Sequence, residues 1–314
     1  IPGATIVQLD KMPGENEIQK WGLTDYVGAV TDGIYGAVGF DFKSPHTGLA
    51  ARKAWFFFDK TYVCLGTNIS SRMKNQVLTT VNQCPLNGEV TVSDADGIHP
   101  QELGSRMKKE VRWVVHDKVG YYFLKKENVI LSNQHMEGSW KIANRQTTTP
   151  TDIIRQDVFT LSIDHGSSPN NGGYAYMVIP SSDPQSIEKK VEEEGVVILA
   201  NCPDLQAVRH GGLNMAYAVF YKGGTLQVHD KIVVEMDSPG MLMVKYNDVG
   251  EILALGVSDP TRFMKKLHLS VNQKIVWPAQ ENIQTEWDEK QALTRISVDL
   301  PQNEYAGKSV IYNK

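Results

Sequence analysis

Short runs of β-branched and aromatic residues recur about every ten residues along this chain, each closed by turn formers, and that rhythm fits an all-β, mostly antiparallel protein. KAWFFFD at Lys53–Asp59 and YVCLG at Tyr62–Gly66 flank a short break at Lys60-Thr61. VRWVVH at Val111–His116 and VGYYF at Val119–Phe123 flank Asp117-Lys118 in the same way. Both pairs read as hairpins. Phe159, Leu161 and Ile163 alternate with Val158, Thr160 and Ser162, as on a strand with one face in a core, and YAYMVI follows at Tyr174–Ile179 after a polar loop. A third hairpin is predicted there.

One helix interrupts the rhythm. Asp183 is placed to cap it, Pro184 sits at its first position, and SIEKKVEEE carries it over Ser186–Glu194 to Gly195. Its Glu and Lys residues fall three and four apart, the spacing of a solvated surface helix. Strand-like runs resume at Tyr217–Lys222 and Leu226–Val234 around Gly223-Gly224, and at Met241–Tyr246 and Ile252–Val257 around Asn247–Gly250. Lys266–Val271 and Thr294–Leu300 follow. The expectation is a large β domain over residues 1–200 and a smaller antiparallel β-sandwich over 201–314, with the change near Asn201–Pro203.

The chain of 314 residues is long enough for two such domains. With 41% hydrophobic and 22% charged residues its composition is that of a folded globular protein, which excludes disorder, collagen-like repeats and coiled coil. Thirty-two basic against thirty-six acidic residues leave a formal charge of −4, which argues against a coat for nucleic acid or anionic membrane. No apolar run approaches the length of a membrane-spanning helix. The first residue is Ile1 rather than Met, so a processed protein or a piece of a longer one is expected. Cys64, Cys84 and Cys202 form no CxxC and have no His at ligand spacing, and are expected to be buried free thiols.

The familiar catalytic patterns are missing: GxSxG, HExxH, GxGxxG and GxxxxGK[ST] do not occur. All eight His residues stand singly. His116-Asp117 and Asp164-His165 place a carboxylate beside an imidazole at a strand end, an arrangement that serves either acid–base work or a satisfied turn. Trp21, in QKWGLTDY, lies in a polar, glycine-flanked stretch where an indole either stacks on a sugar ring or packs a loop onto the sheet. Trp55, Trp113 and Trp140 belong to strand-like runs and are expected in the core. Basic residues cluster at Arg52-Lys53, at Arg72 with Lys74, and at Arg106, Lys108, Lys109 and Arg112, either as patches for a polyanion or as ordinary solvated charge.

Particular strings say more. IPGAT, TDGIYGAVGFDF, ARKAWFFFDKTYVCLG, VHDKVGYYF, IDHGSSPNNGGYAYMVIP, LQAVRH and VDLPQNEYAGKSV, in that order, resemble the β-rich portion of polysaccharide lyase family 8, and within it bacterial chondroitin AC lyases most. The resemblance covers essentially the whole chain. It implies an α/α toroid followed by a large antiparallel super-sandwich and a small C-terminal sandwich, with only the last two in this chain. It implies cleavage of acidic glycosaminoglycans by β-elimination. A neutralised uronate carboxylate makes the C5 proton acidic, a Tyr or His removes it, and a Tyr protonates the departing oxygen. The family's residues for these steps lie on the toroid and just ahead of the IPG motif, so no catalytic residue is assigned in this chain. The matched position is Trp21, which resembles the family Trp that reaches toward the sugar cleft.

Some members hold a structural calcium through acidic residues before the IPG motif and one after it. Here that later position is Gln8, with Asp10 only nearby, so no cofactor and no metal ligand is assigned. The expected partners are an acidic polysaccharide, chondroitin sulfate or hyaluronan, and the toroid of the same enzyme, with no nucleic acid and no membrane span. The expected setting is secreted or periplasmic. A stand-alone carbohydrate-binding or structural β-sandwich module is the alternative.

Overall fold

The computed structural model describes residues 1–314 except Met12, Pro13, Glu15, Asn16, Ile18, Lys20 and Arg145. In chain order the first strands are β1 (Thr5–Val7), β2 (Val27–Thr31), β3 (Gly36–Lys43), β4 (Ala50–Phe57), β5 (Tyr62–Ser70) and β6 (Gln76–Pro85). Next come β7 (Val90–Asp94), β8 (Gly97–Pro100), β9 (Gly104–His116), β10 (Val119–Gly138), the short helix α1 (Trp140–Ala143), β11 (Ile154–Ser167) and β12 (Gly172–Pro180). After helix α2 (Ile187–Glu194) follow β13 (Val196–Cys202), β14 (Leu205–His210), β15 (Met215–Phe220), β16 (Gly224–His229), β17 (Ile232–Met236) and β18 (Gly240–Tyr246). The last are β19 (Ile252–Ser258), β20 (Lys266–Val271), β21 (Ile283–Asp288), β22 (Leu293–Asp299) and β23 (Val310–Asn313). The fold is all-β, as the strand rhythm requires.

The chain forms two compact units. One comprises Ile1–Lys11, Met73–Pro169 and Tyr176–Ile187, the other Met12–Arg72, Asn170–Ala175 and Glu188–Lys314. In the first unit β1, β6, β11, β10 and the second half of β12 lie side by side, with β9 also on β10, β7 on β9 and β8 on β7. Trp113, Phe123, Leu131, Phe159, Leu161 and Ile163 are fully buried in it. The β9–β10 hairpin turns through Asp117 and Lys118, at φ of 46° and 61°, the paired left-handed conformation that a two-residue hairpin favours.

The expected hairpin of Phe159–Ile163 with Tyr174–Ile179 is corrected, because β10 lies between β11 and β12. The twenty residues of β10 are enough for both neighbours: Val119–Phe123 pair with β12 and Val129–Gly138 with β11. Trp140 is not core either. It opens α1, just after the Ser139 cap, and is 63% exposed. Trp113 is buried as expected, and Trp55 only partly. Of the cysteines only Cys64 is buried; Cys84 is half-buried and Cys202 exposed.

In the second unit β5, β4, β3 and β2 form one layer, and the β4–β5 hairpin has the expected register with Phe57 opposite Tyr62. A turn in which the Asp183 carboxylate accepts from the Gln185 and Ser186 amides leads into helix α2, and Gly195 follows its end with a φ of 57°, the usual left-handed close of a helix. The rest is a sandwich of a six-stranded sheet, β13-β14-β15-β18-β19-β23, on a five-stranded sheet, β16-β17-β20-β22-β21. The Gly223-Gly224 link passes from β15 in one sheet to β16 in the other, and Leu226–Val234 is two strands because the chain turns at Asp230-Lys231.

The six-stranded sheet is buried on both faces. Along β15, Ala216, Ala218 and Phe220 enter the core shared with the five-stranded sheet, while the alternate residues face β2 to β5. Contact on that second side is close: a Cβ on Gly39 would meet Val219 Cγ1 at 2.5 Å, and one on Gly28 would meet Pro260 Cα at 2.8 Å. Lys245 is salt-bridged to Asp32, and the Ser258 hydroxyl donates to the Ala29 carbonyl at 2.7 Å.

Candidate functional site

Trp21 precedes β2, and its indole is 80% exposed, with Leu23 exposed beside it. Of the KWG motif, Lys20 lies outside the described residues. Just after Trp21 the chain is fastened. The Thr24 hydroxyl donates to the Asp41 carbonyl at 2.5 Å, and the Asp41 amide donates to the Tyr26 carbonyl at 2.9 Å. The Tyr26 hydroxyl, buried, lies 2.9 Å from the Phe220 carbonyl and 3.1 Å from that of Gly240. Its ring meets that of Tyr221 at 4.9 Å, and the Arg52 guanidinium lies 4.7 Å from the Tyr221 centroid. Arg52 also donates to Asp41 at 3.4 Å and to the Pro203 carbonyl. The Tyr221 hydroxyl bridges Gln206 Oε1 at 2.9 Å and the Lys53 carbonyl at 3.1 Å.

This lock of buried polar and aromatic groups, rather than the indole, holds the end of the Trp21 loop. A tryptophan packing its loop onto the sheet would be covered, and this one is not. An indole left in solvent has a face available for a flat, partly apolar ligand such as a sugar ring.

The other candidates have structural tasks. His116 is 1% exposed, stacks on Phe159 at 4.3 Å, accepts from the Asn87 amide at 3.0 Å through Nε2, and has the Cys84 thiol 3.7 Å from Nδ1. Burial pulls its pKa below the ordinary histidine value, which keeps it neutral and suited to that accepting role. His165 Nε2 lies 2.7 Å from the Thr79 hydroxyl, itself 2.8 Å from Thr5, so it ends a chain of bonds between strands. Burial raises the phenols of Tyr26, Tyr217 and Tyr221 far above their ordinary value, so none is a base near neutral pH.

The basic clusters divide: Arg72, Lys74 and Lys109 stay exposed, and the others have partners. Arg52 and Lys53 are turned inward, the second only 4% exposed. Arg106 pairs with Glu102 at 3.1 Å, Lys108 with Asp94 at 3.4 Å, and Arg112 lies 5.0 Å from the Tyr122 ring centroid. Near the N-terminus the Gln8 carbonyl accepts from Asn75 at 2.9 Å and the Gln8 amide donates to Gln76, while Asp10 is exposed. Among the described residues no group of three or more His, Cys, Asp or Glu gathers to hold a metal. One amide side chain and one solvated carboxylate do not fit calcium, which takes six or more oxygens.

Two surface features carried no signal that strand periodicity registers. Met136, Trp140 and Ile154, all exposed, line an apolar groove of ≈ 310 Å³ at the far end of β10 and β11, and Ile142 and Ile153 are exposed as well. The Gly138-Ser139 pair ahead of Trp140 was the clue that the strand stops there and a capped turn starts. The second is a polar groove of ≈ 600 Å³ on the five-stranded sheet.

Antiparallel sheets throughout, two of them stacked as a sandwich at the C-terminal end, define an all-β protein of the sandwich class. Comparison with known proteins makes the class definite. Residues 1–191 match the super-sandwich domain of polysaccharide lyase family 8 and residues 197–268 its C-terminal β-sandwich domain, and the chain belongs to that family.

Chondroitinase-AC of Pedobacter heparinus is 35% identical over 99% of this chain and 41% of its own length. A hyaluronate lyase of Thermasporomyces composti is 29% identical over 88% of the chain and 35% of its own length. A solved chondroitinase AC lyase, studied in complex with oligosaccharides, superimposes with a TM-score of 0.84 at 35% identity, covering 99% of this chain and 43% of that one. A Paenibacillus xanthan lyase shares the fold, with a TM-score of 0.84 at 23% identity. The chain thus spans less than half the length of these relatives.

Proposed function

We propose that this chain is the β-domain part of a glycosaminoglycan lyase that cleaves chondroitin- or hyaluronan-type chains by β-elimination. Within it, residues 1–200 form the central domain and 201–314 the C-terminal domain. The observation that carries the reading is 35% identity to a chondroitinase AC over 99% of the chain. The chain contributes one wall of the substrate cleft, with Trp21 as a sugar platform, and works with an N-terminal α/α toroid of the same enzyme. Elimination needs a positioned base, an acid for the leaving oxygen and a group that neutralises the uronate carboxylate. His116 and His165 are engaged in packing and strand contacts, and the buried phenols of Tyr26, Tyr217 and Tyr221 stay protonated, which supports a binding role for this chain and a catalytic one for the toroid. The setting proposed is secreted or periplasmic, where such polymers are met.

Incubation with chondroitin sulfate or hyaluronan, following the ultraviolet absorbance of the new C4–C5 double bond, tests this. The complete enzyme produces unsaturated ends and the chain alone produces none. Sustained turnover by the chain alone, abolished by changing one of its own residues, overturns the division of labour. A complete enzyme inert on both polymers overturns the substrate class.

A further inference from the structure

We propose that two loops crossing between the sheets at one end of the C-terminal sandwich form a binding site for an anionic carbohydrate, distinct in its residues from the Trp21 platform. Loop 259–265 leaves β19 and enters β20, and loop 300–309 leaves β22 and enters β23. They run side by side because their strands pair at both ends, Val257 with Val310 and Lys266 with Asp299. Each loop is fixed by its own bonds. Asp259, 2% exposed, accepts from the Thr261 amide at 2.8 Å, the Thr261 hydroxyl at 2.6 Å and the Met264 amide at 2.8 Å. In the other loop the Tyr305 amide donates to the Gln302 carbonyl at 3.2 Å and the Lys308 amide to the Tyr305 carbonyl at 3.0 Å. The Gln302 side chain ties the two together, donating to the Met264 carbonyl at 3.0 Å and the Leu300 carbonyl at 2.9 Å. Gly307, at a φ of 88°, completes the join, since a Cβ there would lie 3.1 Å from Arg262 Cγ.

On this fixed base stand two exposed rings, Phe263 at 74% and Tyr305 at 60%. Single exposed rings are ordinary, but here cations adjoin them. Lys308 Nζ lies 6.0 Å from the Tyr305 ring centroid, the Arg262 stem lies against Gly307 beside Lys308, and Lys265 follows Phe263 by two residues. Among the described residues Arg262, Lys265 and Lys308 enter no ion pair, whereas Lys266 is held by Asp299 at 2.8 Å. Glu304 is the one solvent-facing carboxylate of the two loops, since Asp259 is buried and bonded. Their exposed surface is therefore net cationic on a chain whose formal charge is −4. Rings and cations together select the occupant. A pyranose offers an apolar C–H face to a phenyl or phenol ring, and a uronate or sulfate on the same chain reaches a guanidinium or ammonium. A nucleic acid strand carries a phosphate about every 3.4 Å, which three cations beside Glu304 match poorly. An apolar partner would strip water from those cations with nothing to replace it. That the carbohydrate is of the chondroitin or hyaluronan type rests on the function proposed above; the site itself rests on the loops.

The test uses the full chain carrying Trp21→Ala, so that the platform proposed above adds nothing, with octasaccharides of chondroitin sulfate and of hyaluronan, by titration calorimetry and ligand-observed NMR at low salt. At least one binds saturably: binding of both supports a site that reads the carboxylate, and binding of chondroitin sulfate alone one that reads the sulfate. Phe263→Ala with Tyr305→Ala, and separately Arg262→Asn with Lys308→Gln, weaken binding at least about tenfold with the melting temperature unchanged. Asn is chosen because it accepts the left-handed φ of 66° at Arg262. Lys189→Gln, which removes a charge from helix α2, leaves binding unchanged. Absence of binding by both octasaccharides at millimolar concentration overturns the proposal, and so does binding that survives either double substitution or falls equally with K189Q. Equal binding of cellohexaose or of oligothymidylate overturns the ligand class. The complete enzyme separates this site from the function it rests on: turnover of chondroitin with no binding by the Trp21→Ala chain overturns the site alone, and binding by that chain with a complete enzyme inert on both polymers overturns the function alone.

Discussion

The two sheets of the C-terminal sandwich share one core but differ in what lies behind them. The six-stranded sheet is covered again by β2 to β5, and its central strands read as near-continuous apolar runs, MAYAVF and GMLMVKY, the second broken only by Lys245, with every residue of the first buried. The five-stranded sheet turns its other face to water, and its central strands alternate, KLHLSV and LTRISVD, with buried residues at every second place. Continuous apolar runs mark double coverage and alternation marks one wet face. The second cover also buries polar groups, and the Tyr26–Tyr221–Arg52–Gln206 lock pairs most of them, leaving Arg52 Nε and the Tyr217 hydroxyl without a partner among the described residues.

The sharpest way to break this comparison is a matched pair of alanine substitutions. Phe220, fully buried on β15, is expected to cost about 3–5 kcal/mol as Phe220→Ala. His268→Ala, on the open face of β20, is expected to stay within about 0.5 kcal/mol of wild type. Chemical denaturation of both variants decides it: Phe220 points into the core shared by the two sheets, so equal losses would mean that the outer face of β20 is not open to water.

The next effect is a pH dependence. Lys53 of β4 lies within the covering layer, and burial lowers its pKa from 10.5 to about 8. Below that value the ammonium is charged in both folded and unfolded chains, and the folded state bears the full cost of burying it. Between about pH 8 and 10.5 the unfolded chain holds the proton more tightly, so stability climbs with pH, by on the order of 3 kcal/mol. The raised phenols of Tyr26, Tyr217 and Tyr221 act in the opposite sense above about pH 10, but they are common to wild type and Lys53→Met and cancel in the difference between them. That difference should shift in favour of wild type across this window; a flat one would show that Lys53 reaches water.

What was legible from sequence follows the same division. Local signals were read correctly: the Asp117-Lys118 and Lys60-Thr61 hairpins, the Asp183 cap with Gly195, and the pairing of β18 with β19. Partnership across the chain was not, because periodicity states that a strand has a buried face but not which strand lies beside it. So β11 and β12, neighbours in sequence, came out as a hairpin when β10 separates them. Arg52 and Lys53 read as surface charge because nothing local shows that their layer is covered, and Trp140 read as core because its apolar neighbours conceal the end of a strand. The exposure of Trp21 was legible because glycine and polar residues surround it, whereas the cleft role proposed for it rests on family resemblance alone.

The smallest expected change in stability belongs to Trp21, and its contrast with Phe220 makes it informative. An indole 80% exposed contributes little to the core, so Trp21→Ala should leave the denaturation midpoint within about 0.5 kcal/mol of wild type. A sugar ring lying on that indole buries apolar surface worth on the order of 1–2 kcal/mol. In the complete enzyme the same substitution should therefore reduce kcat/KM on chondroitin or hyaluronan by roughly 5- to 30-fold, since each 1.4 kcal/mol is a factor of ten. Two aromatic residues would then have opposite fates on truncation, one losing the fold and the other only the substrate. Unchanged kinetics with an unchanged midpoint would remove Trp21 from the cleft wall. A large fall in midpoint would mean that the lock around Tyr26 depends on the indole after all.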